Sequence, residues 1–525
     1  MKTCSNGSYS AYLLSSLCIA FVIAVFVLSG YFDTSIRFSV STLKYSIPLI
    51  ELQSKVLSSD HDDNARAVRS ARFTAGFSIN SLRNQSVISE VVSSDPDDDH
   101  AQAVRSARST TGFSFNRLRN QSVIRRIGKL SGEEKVERGL ARARASILRA
   151  TSGGNVSSST TTTAAINDDG NYVPNGVVYR NPGAFYRSYM EMERRFKVYV
   201  YSEGDPPMTH HGPCKDIYSI EGRFIHEIEH GRGEFRTSDA HRAHVFFMPF
   251  SVTMMVKYLY QPLSYNLTPL KHFVSDYVRV VSMKYPFWNR THGADHFMLT
   301  CHDWGPHASQ GNPFLYNTSI RVLCNANTSE GFNPQKDVSL PEIKLYDGKV
   351  SPKLLSPPPE NAPRPYLAFF AGGLHGPIRP VLLRHWKNRD SDLLVYEYLT
   401  KDLDYYSLML QSKFCLCPSG HEVASPRIVE AIYAECVPVI LSKNYVLPFS
   451  DVLRWEAFSI QIDVSEIPKL KEVLKAVPEE KYRRLKEGLR VVRRHFVLND
   501  PAKRFDVFHM ILHSIWLRRI NVRLA

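Results

Sequence analysis

The segment Phe414–Leu441 holds the densest set of residues able to do chemistry together. Its first half ends in Pro418-Ser419-Gly420-His421, and a short loop leads to Ser425-Pro426-Arg427. Serine is a preferred N-cap and proline suits the first helical position, so the spacing predicts a helix over Pro426–Glu435. Arg427 then falls in the first turn, where the helix dipole disfavours a cation unless an anion lies in front of it. Glu430 stands three residues on, beside Arg427 on one face, while Ile428, Ala431 and Ile432 take the buried side. An anion-facing arginine with a carboxylate a turn deeper suits a diphosphate and the hydroxyls of a ribose. The same spacing also makes an ordinary Arg–Glu helix pair, and spacing alone does not choose.

Two further places carry weaker signals. After the apolar run Tyr366–Ala371 come Gly372-Gly373 and then Arg379. Paired glycines let backbone N–H groups approach an anion, and the arginine adds charge-assisted donors. A plain turn has the same composition, and neither the Walker lysine nor the full G-x-G-x-x-G spacing is present. Cys301-His302-Asp303-Trp304 gathers an imidazole, a carboxylate and an aromatic platform at the end of another apolar run. Asp303 in such a place can equally cap its loop. Glu221 and the loop Glu203–Pro207 are outside candidates for proton transfer.

No metal is expected. Asp390-Ser391-Asp392 and Asp402-Leu403-Asp404 are acid pairs in turns around a strand. His210, His211 and Cys214, or His241 and His244, lack a second matching pair at zinc-finger spacing.

Strands must end where these groups begin. Phe196–Tyr201, Val245–Met248 and Phe297–Thr300 read as strands, with helical stretches at Phe224–His230 and Leu270–Tyr285 between them. This first block, 172–350, is followed by a proline-rich linker over 351–365. A second block, 366–500, alternates strands at Tyr366–Ala371, Leu393–Tyr398, Lys413–Cys417, Val437–Leu441 and Phe458–Ile462 with helices. Continuous apolar strands between helices imply parallel sheets covered on both faces. In 501–525, a helix over Ala502–Arg518 puts Phe505, Phe508, Leu512, Ile515 and Trp516 on one stripe and packs back onto the body. The expected fold is α/β, with two doubly wound, Rossmann-like domains and a cleft between them.

The chain has 525 residues, 43% hydrophobic and 22% charged, which excludes wholesale disorder. Its formal charge of +14 favours anionic partners. A single apolar stretch, Tyr12–Leu28, is long enough to span a bilayer, which excludes a polytopic transporter. It is too long for a signal-peptide core and no A-x-A site follows, so 1–11 is expected to be a cytosolic tail and 12–32 an uncleaved anchor.

Sequons begin at Asn84, Asn120, Asn155, Asn266, Asn289, Asn317 and Asn327, all beyond the anchor. They place the body in a lumen, as a type II membrane protein. Six cysteines, Cys214, Cys301, Cys324, Cys415, Cys417 and Cys436, then lie in an oxidising space and can pair. Residues 33–171 read as a stem. The run Asn64–Ile88 recurs at His100–Ile124, a charged helix follows at Glu133–Ala150, and Ser157–Thr163 is a Ser/Thr linker. Much of the basic charge sits in this stem and not on a motif-bearing helix, so nucleic acid is not an expected partner.

The Phe414–Leu441 segment resembles the nucleotide-sugar segment of the exostosin family of glycosyltransferases, in its plant cell-wall branch. The similarity extends through FKVYVYSEGDPP (Phe196–Pro207), GPCKDIYSIEGRFIHEIE (Gly212–Glu229), AHVFFMPFSV (Ala243–Val252), HFMLTCHDWGP (His296–Pro306) and CVPVILSKNYVLPF (Cys436–Phe449), over roughly 172–520. It implies a GT-B fold, a Golgi type II topology and inverting transfer from a nucleotide sugar, a UDP-sugar, to a cell-wall polysaccharide. No cofactor beyond that co-substrate is implied, and another glycosyltransferase is a partner the family admits. Arg427 and Glu430 map onto the donor-binding helix, joined on the donor side by Gly372, Gly373, Arg379, Ser419, Gly420, His421 and Ser425. Cys415 and Cys436 map onto a disulfide, and Cys301 and Cys324 are further disulfide candidates. Inverting transfer needs a base, which places Asp303, with His302 next, as catalytic and Trp304 under the acceptor sugar. Many members carry arginine beside the loop glycine, where this chain has Ser419 and His421. That departure motivates a second expectation, a non-catalytic carbohydrate-binding or scaffold subunit.

Overall fold

A computed structural model describes residues 131–152, 172–356 and 358–521. Two five-stranded parallel sheets form the frame. In the first, β1 (Val198–Val200), β2 (Val245–Phe247), β3 (His296–Thr300), β4 (Ile320–Leu323) and β5 (Val338–Ser339) lie side by side in chain order. Successive side chains leave a strand on opposite faces. Accordingly Val245 and Phe247 enter one apolar cluster, with Phe224 edge-on to Phe247 at 5.6 Å, and Phe246 enters the other, with Val274, Val278 and Val281. Helices therefore cover both faces. The order does not reverse, however, so the doubly wound expectation is corrected for this sheet.

The second sheet, β6 (Tyr366–Ala371), β7 (Leu393–Tyr396), β8 (Ser412–Pro418), β9 (Val437–Leu441) and β10 (Ile460–Gln461), takes the order β7-β6-β8-β9-β10. Here the order does reverse. The chain steps from β6 to β7, then returns to add β8 on the other side of β6. Loops leaving two neighbouring strands at such a reversal diverge and open a crevice at the strands' carboxyl ends. The two parallel sheets with their helices form the GT-B-like α/β architecture.

β4 and β5 escape a sequence reading because β4 carries a charge in its middle. Arg321 is fully buried, its Nε donating to Asp337 Oδ1 at 3.1 Å and its Nη2 to Oδ2 at 2.5 Å. The C-terminal helix, Val507–Asn521, returns to the first sheet. It is buried on every side and not along one stripe, with Trp516 against Phe196 and Phe508 against Phe224. Its polar groups find carbonyls: Arg519 Nε donates to His244 at 2.7 Å and Arg518 Nε to Asp337 at 2.9 Å.

The helix Gly132–Ser152 corrects the stem boundary. Leu140 and Ala143 are fully buried against Pro182–Arg195 and the C-terminal helix, and Arg187 Nε donates to Ser146 Oγ at 2.5 Å. Its charged face masked a narrow apolar stripe. The span Tyr12–Leu28, the duplicated run and Asn84, Asn120 and Asn155 lie outside the described residues. Among the described residues no helix is long and apolar enough to cross a membrane. Asn266, Asn289 and Asn317 are exposed. Asn327 is a poor acceptor, because its side chain is buried and its Nδ2 donates to Glu330 at 2.8 Å. Disulfides join Cys301 to Cys324 and Cys415 to Cys436, while Cys417 is a buried free thiol.

Candidate active site

Two loops build the crevice at the reversal. One follows β6 from Gly372, the other follows β8 from Ser419. They meet at Gly376 and Gly420. Gly376 has φ +64°, and a Cβ there would stand 1.7 Å from the Gly420 carbonyl oxygen, so only glycine fits. Arg379, in the first turn of the helix Ile378–Trp386, reaches the same point, its Nη2 3.0 Å from where a Gly420 Cβ would be.

Arg427 enters from the helix Pro426–Tyr433. Its Nη2 donates to the Ala371 carbonyl at 2.9 Å, its Nη1 to Ser425 Oγ at 3.2 Å, and the guanidinium lies 4.7 Å over the Phe370 ring. A Cβ on Gly372 would stand 2.9 Å from that Nη2, so the glycine opens the path. The Nε atoms of Arg379 and Arg427 are both buried without a hydrogen-bond partner. Arg379 is pulled down to about 10, first by burial and then by Arg427, against the attraction of Glu342. Two desolvated guanidiniums with unused donors, held close enough to repel, form a site that an anion would complete.

The other candidates are placed differently from expectation. The amides of Gly372, Ser419 and Gly420 donate inside the protein, to Tyr396, Leu441 and Glu422 carbonyls at 3.1, 3.0 and 3.0 Å. Those three amides are therefore committed, whereas the arginine side chains keep unused donors. Ser425 occupies the N-cap position, but its hydroxyl accepts from Arg427 and caps no amide. Ser419 Oγ bonds Ser442 Oγ at 2.6 Å, and His421 is exposed with its ring 5.2 Å from His375. Glu430 is buried and makes no ion pair with Arg427 among the described residues. Instead its two oxygens accept from Tyr406 at 3.0 Å and Tyr405 at 3.1 Å.

The facing wall is the end of β3. Glu221 is fully buried, accepting from the Cys301 amide at 2.8 Å, Thr300 Oγ1 at 2.9 Å and Thr253 Oγ1 at 3.1 Å. It braces this wall and does not face the crevice. Glu203 is likewise spoken for, by Lys284 and Tyr285 at 2.7 Å each. Asp303 Oδ1 accepts from the Tyr218 hydroxyl at 2.5 Å, and the Asp303 carbonyl takes Asn325 Nδ2 at 3.1 Å. It caps no backbone amide of its own loop. His302 Nδ1 accepts from the Trp304 amide at 3.1 Å, and burial lowers its pKa against the pull of Asp303, leaving a neutral ring. Trp304 is half-buried, edge-on to Tyr260 at 4.7 Å.

Two glutamates outside the expected site residues lie between the two walls. Glu422, in the loop after β8, is buried with Glu342 and Asp303 as its acidic neighbours, and the Oε2 atoms of both glutamates are buried without a hydrogen-bond partner. Burial, then Glu342 and Asp303, raise Glu422 well above the carboxylate range, and burial first raises Glu342 to about 8. Glu342 also feels Arg379 and Arg427, so the acid cluster faces the two guanidiniums. Glu422 falls within Phe414–Leu441, whereas Glu342, in PEIKLYDG, has no motif around it.

The sign of the pH dependence follows. A carboxyl raised in the folded state binds its proton more tightly there than in the unfolded chain. Its contribution is fully present below the ordinary value of 4.5 and is lost as pH rises through about 8. The melting temperature should therefore fall across that window, and Glu342→Gln with Glu422→Gln should flatten the fall in a pH series of thermal unfolding. The acid pairs Asp390/Asp392 and Asp402/Asp404 stand apart from this cluster. Asp390 caps the turn before β7 and pairs with Lys471, while Asp404 caps the helix Tyr405–Leu410 and pairs with Lys353 at 2.7 Å.

The family profile Exostosin GT47 domain matches residues 192–477, both walls and both crevice loops included. A probable glycosyltransferase of Arabidopsis thaliana is 63% identical over 398 residues, covering 76% of this chain and 81% of its own length. The chain belongs to the exostosin GT47 family. It is a glycosyltransferase by that membership. A second probable glycosyltransferase of Arabidopsis thaliana is 54% identical over 395 residues, 75% of this chain and 74% of the relative. Farther off, a probable glucuronosyltransferase of Oryza sativa subsp. japonica is 28% identical over 347 residues, covering 61% of this chain and 77% of its own. In this exostosin GT47 chain, the reversal carries the two arginines, and Asp303 at the end of β3, Glu342 after β5 and Glu422 after β8 form the acid cluster beside them.

Proposed function

We propose that the chain transfers a sugar from a UDP-sugar to a cell-wall polysaccharide with inversion. We place it in the Golgi lumen, held by the Tyr12–Leu28 anchor. The observation that carries the donor assignment is the pair of underbonded guanidiniums, Arg379 and Arg427, at the point where the strand order reverses. They hold the diphosphate, and the remaining lone pairs of Glu430 accept from the ribose hydroxyls. An acceptor hydroxyl, its sugar stacked on Trp304, attacks C1 from the face opposite the nucleotide. Asp303 takes the hydroxyl proton on Oδ2, while its Oδ1 keeps the hydrogen bond from the Tyr218 hydroxyl. The C1–O bond to the diphosphate breaks, and the charge left on UDP is met by the two arginines. Distant relatives named as probable glucuronosyltransferases and a probable β-1,4-xylosyltransferase support a donor panel centred on UDP-glucuronic acid and UDP-xylose.

The test is release of UDP by the full chain with that panel, UDP-galactose and UDP-arabinose, in the presence of wall oligosaccharides. One donor should give turnover dependent on the acceptor. Oligosaccharide binding without any UDP binding would replace this reading with the non-catalytic one. Because arginines meet the diphosphate charge, turnover should persist when EDTA removes divalent metal. Loss of activity that Mn²⁺ restores would contradict that assignment.

A further inference from the structure

We propose that a second site, at the amino ends of strands of both sheets and away from the crevice, binds an acidic oligosaccharide. Arginines and a lysine would hold its uronate carboxylates. A cavity of about 1020 Å³ lies there. Its walls come from the amino ends of the strands. Glu435 precedes β9, Phe235 and Arg236 run beside Val198 at the start of β1, and Pro358 and Glu360 precede β6. The crevice loops leave the carboxyl ends, so a strand's length separates the two sites.

Internal pairing does not balance the charge in this cavity. Arg490 is held by Glu435 and Glu360 at 2.9 Å each, and Arg504 by Glu193 at 2.7 Å. Arg232, Arg494 and Lys503 meet no carboxylate within ion-pair distance among the described residues. Arg236 and Arg493 reach only carbonyls, of Glu229 at 2.7 Å and of Leu354 at 2.9 Å, and Arg493 Nε is buried and unused. On the acidic side, Asp506 is committed to the Lys503 amide at 2.7 Å and to His509 at 3.0 Å. Burial, and then Asp500 and Asp506, raise the Glu227 carboxyl against a hydrogen bond from the Ala502 backbone. Of the cavity's acids, Glu234 is the one exposed without a cation among the described residues.

The shape of the groups narrows the ligand. Arg494 lies flat over the Tyr172 ring at 3.6 Å, which leaves its N–H edge free for a bidentate carboxylate contact. Phe235, Phe505 and Phe508 line the cavity between the charged groups. These rings are buried, with Phe505 stacked on Tyr189 at 3.8 Å, so they form an apolar floor and the guanidiniums select the acid. The volume stands at the upper end of the roughly 300–1,000 Å³ usual for ligand pockets, which suits several linked sugars and not one.

Calorimetry on the full chain with hexagalacturonate, neutral xylohexaose and UDP tests this. Hexagalacturonate should bind, more weakly as salt rises, while xylohexaose does not. UDP should leave that binding unchanged. Arg232→Glu with Lys503→Glu should weaken it by about tenfold or more. Both residues are exposed, so folding is spared. Arg427→Ala should leave it intact, so a failed donor assignment and a failed second site give different results. No binding, equal binding of xylohexaose, displacement by UDP, or indifference to the double substitution would each overturn the proposal.

Discussion

Replacing Arg427 with alanine should lower kcat/KM for the donor by ~10²–10³-fold, the size of effect seen when one preorganised donor to a developing negative charge is removed. The same should hold for Arg379→Ala, and here the stability effect has the informative sign. Arg379 bonds nothing among the described residues, is partly desolvated, and is repelled by Arg427. Its charge disfavours the empty fold. Removing it should leave the melting temperature unchanged or raise it, while UDP binding is lost. Arg427 differs, because its Nη2 ties Ala371 to the helix, so its alanine variant should melt somewhat lower. The two substitutions should not be additive, since either one alone leaves the diphosphate with a single cation. Calorimetric titration of UDP, with thermal unfolding of each variant, separates these effects. UDP binding retained in both variants would remove the arginines from the site.

Asp337→Ala should destabilise the body by about 3–5 kcal/mol. Its carboxylate receives Arg321 through Nε and Nη2, the Arg321 amide at 3.3 Å and Lys336 Nζ at 2.6 Å, all at a position with no solvent. Without it Arg321 keeps Ser309 Oγ, the Gly331 carbonyl and the Tyr316 ring, none of which carries a formal charge. A buried uncompensated cation is among the few single changes that cost this much. The melting temperature should drop on the order of 10 °C. Asp337→Asn, which keeps one acceptor and the shape, should lie between. A drop of only a degree or two in Asp337→Ala would mean that water reaches Arg321.

Much of the second sheet was legible because its strands are short apolar runs ended by glycine, proline or serine. Tyr366–Ala371 and Val437–Leu441 stand where composition put them. The first sheet was less so. β4 hides a charge whose partner lies sixteen residues away, and β5 is two residues long. Arg427 in the first helical turn was legible because a cation there is locally unfavourable and needs a reason. Ser425 was misleading for a related cause: a serine at an N-cap position is free to bond whichever group is nearest, and Arg427 is nearer than the helix amides. Glu342 and Glu422 were out of reach because their meaning lies in each other and in Asp303, three points distant in sequence. No periodicity encodes that meeting. The helix Gly132–Ser152 reads as stem from its charged face, while Leu140 and Ala143 on the other face dock it to the body.

The most direct measurement is a structure of the full chain with UDP bound. The diphosphate should lie within hydrogen-bonding distance of both the Arg379 and Arg427 guanidiniums, at the carboxyl ends of β6 and β8, with the ribose toward Glu430. A nucleotide found elsewhere, or a crevice left empty at saturating UDP, would contradict the assignment.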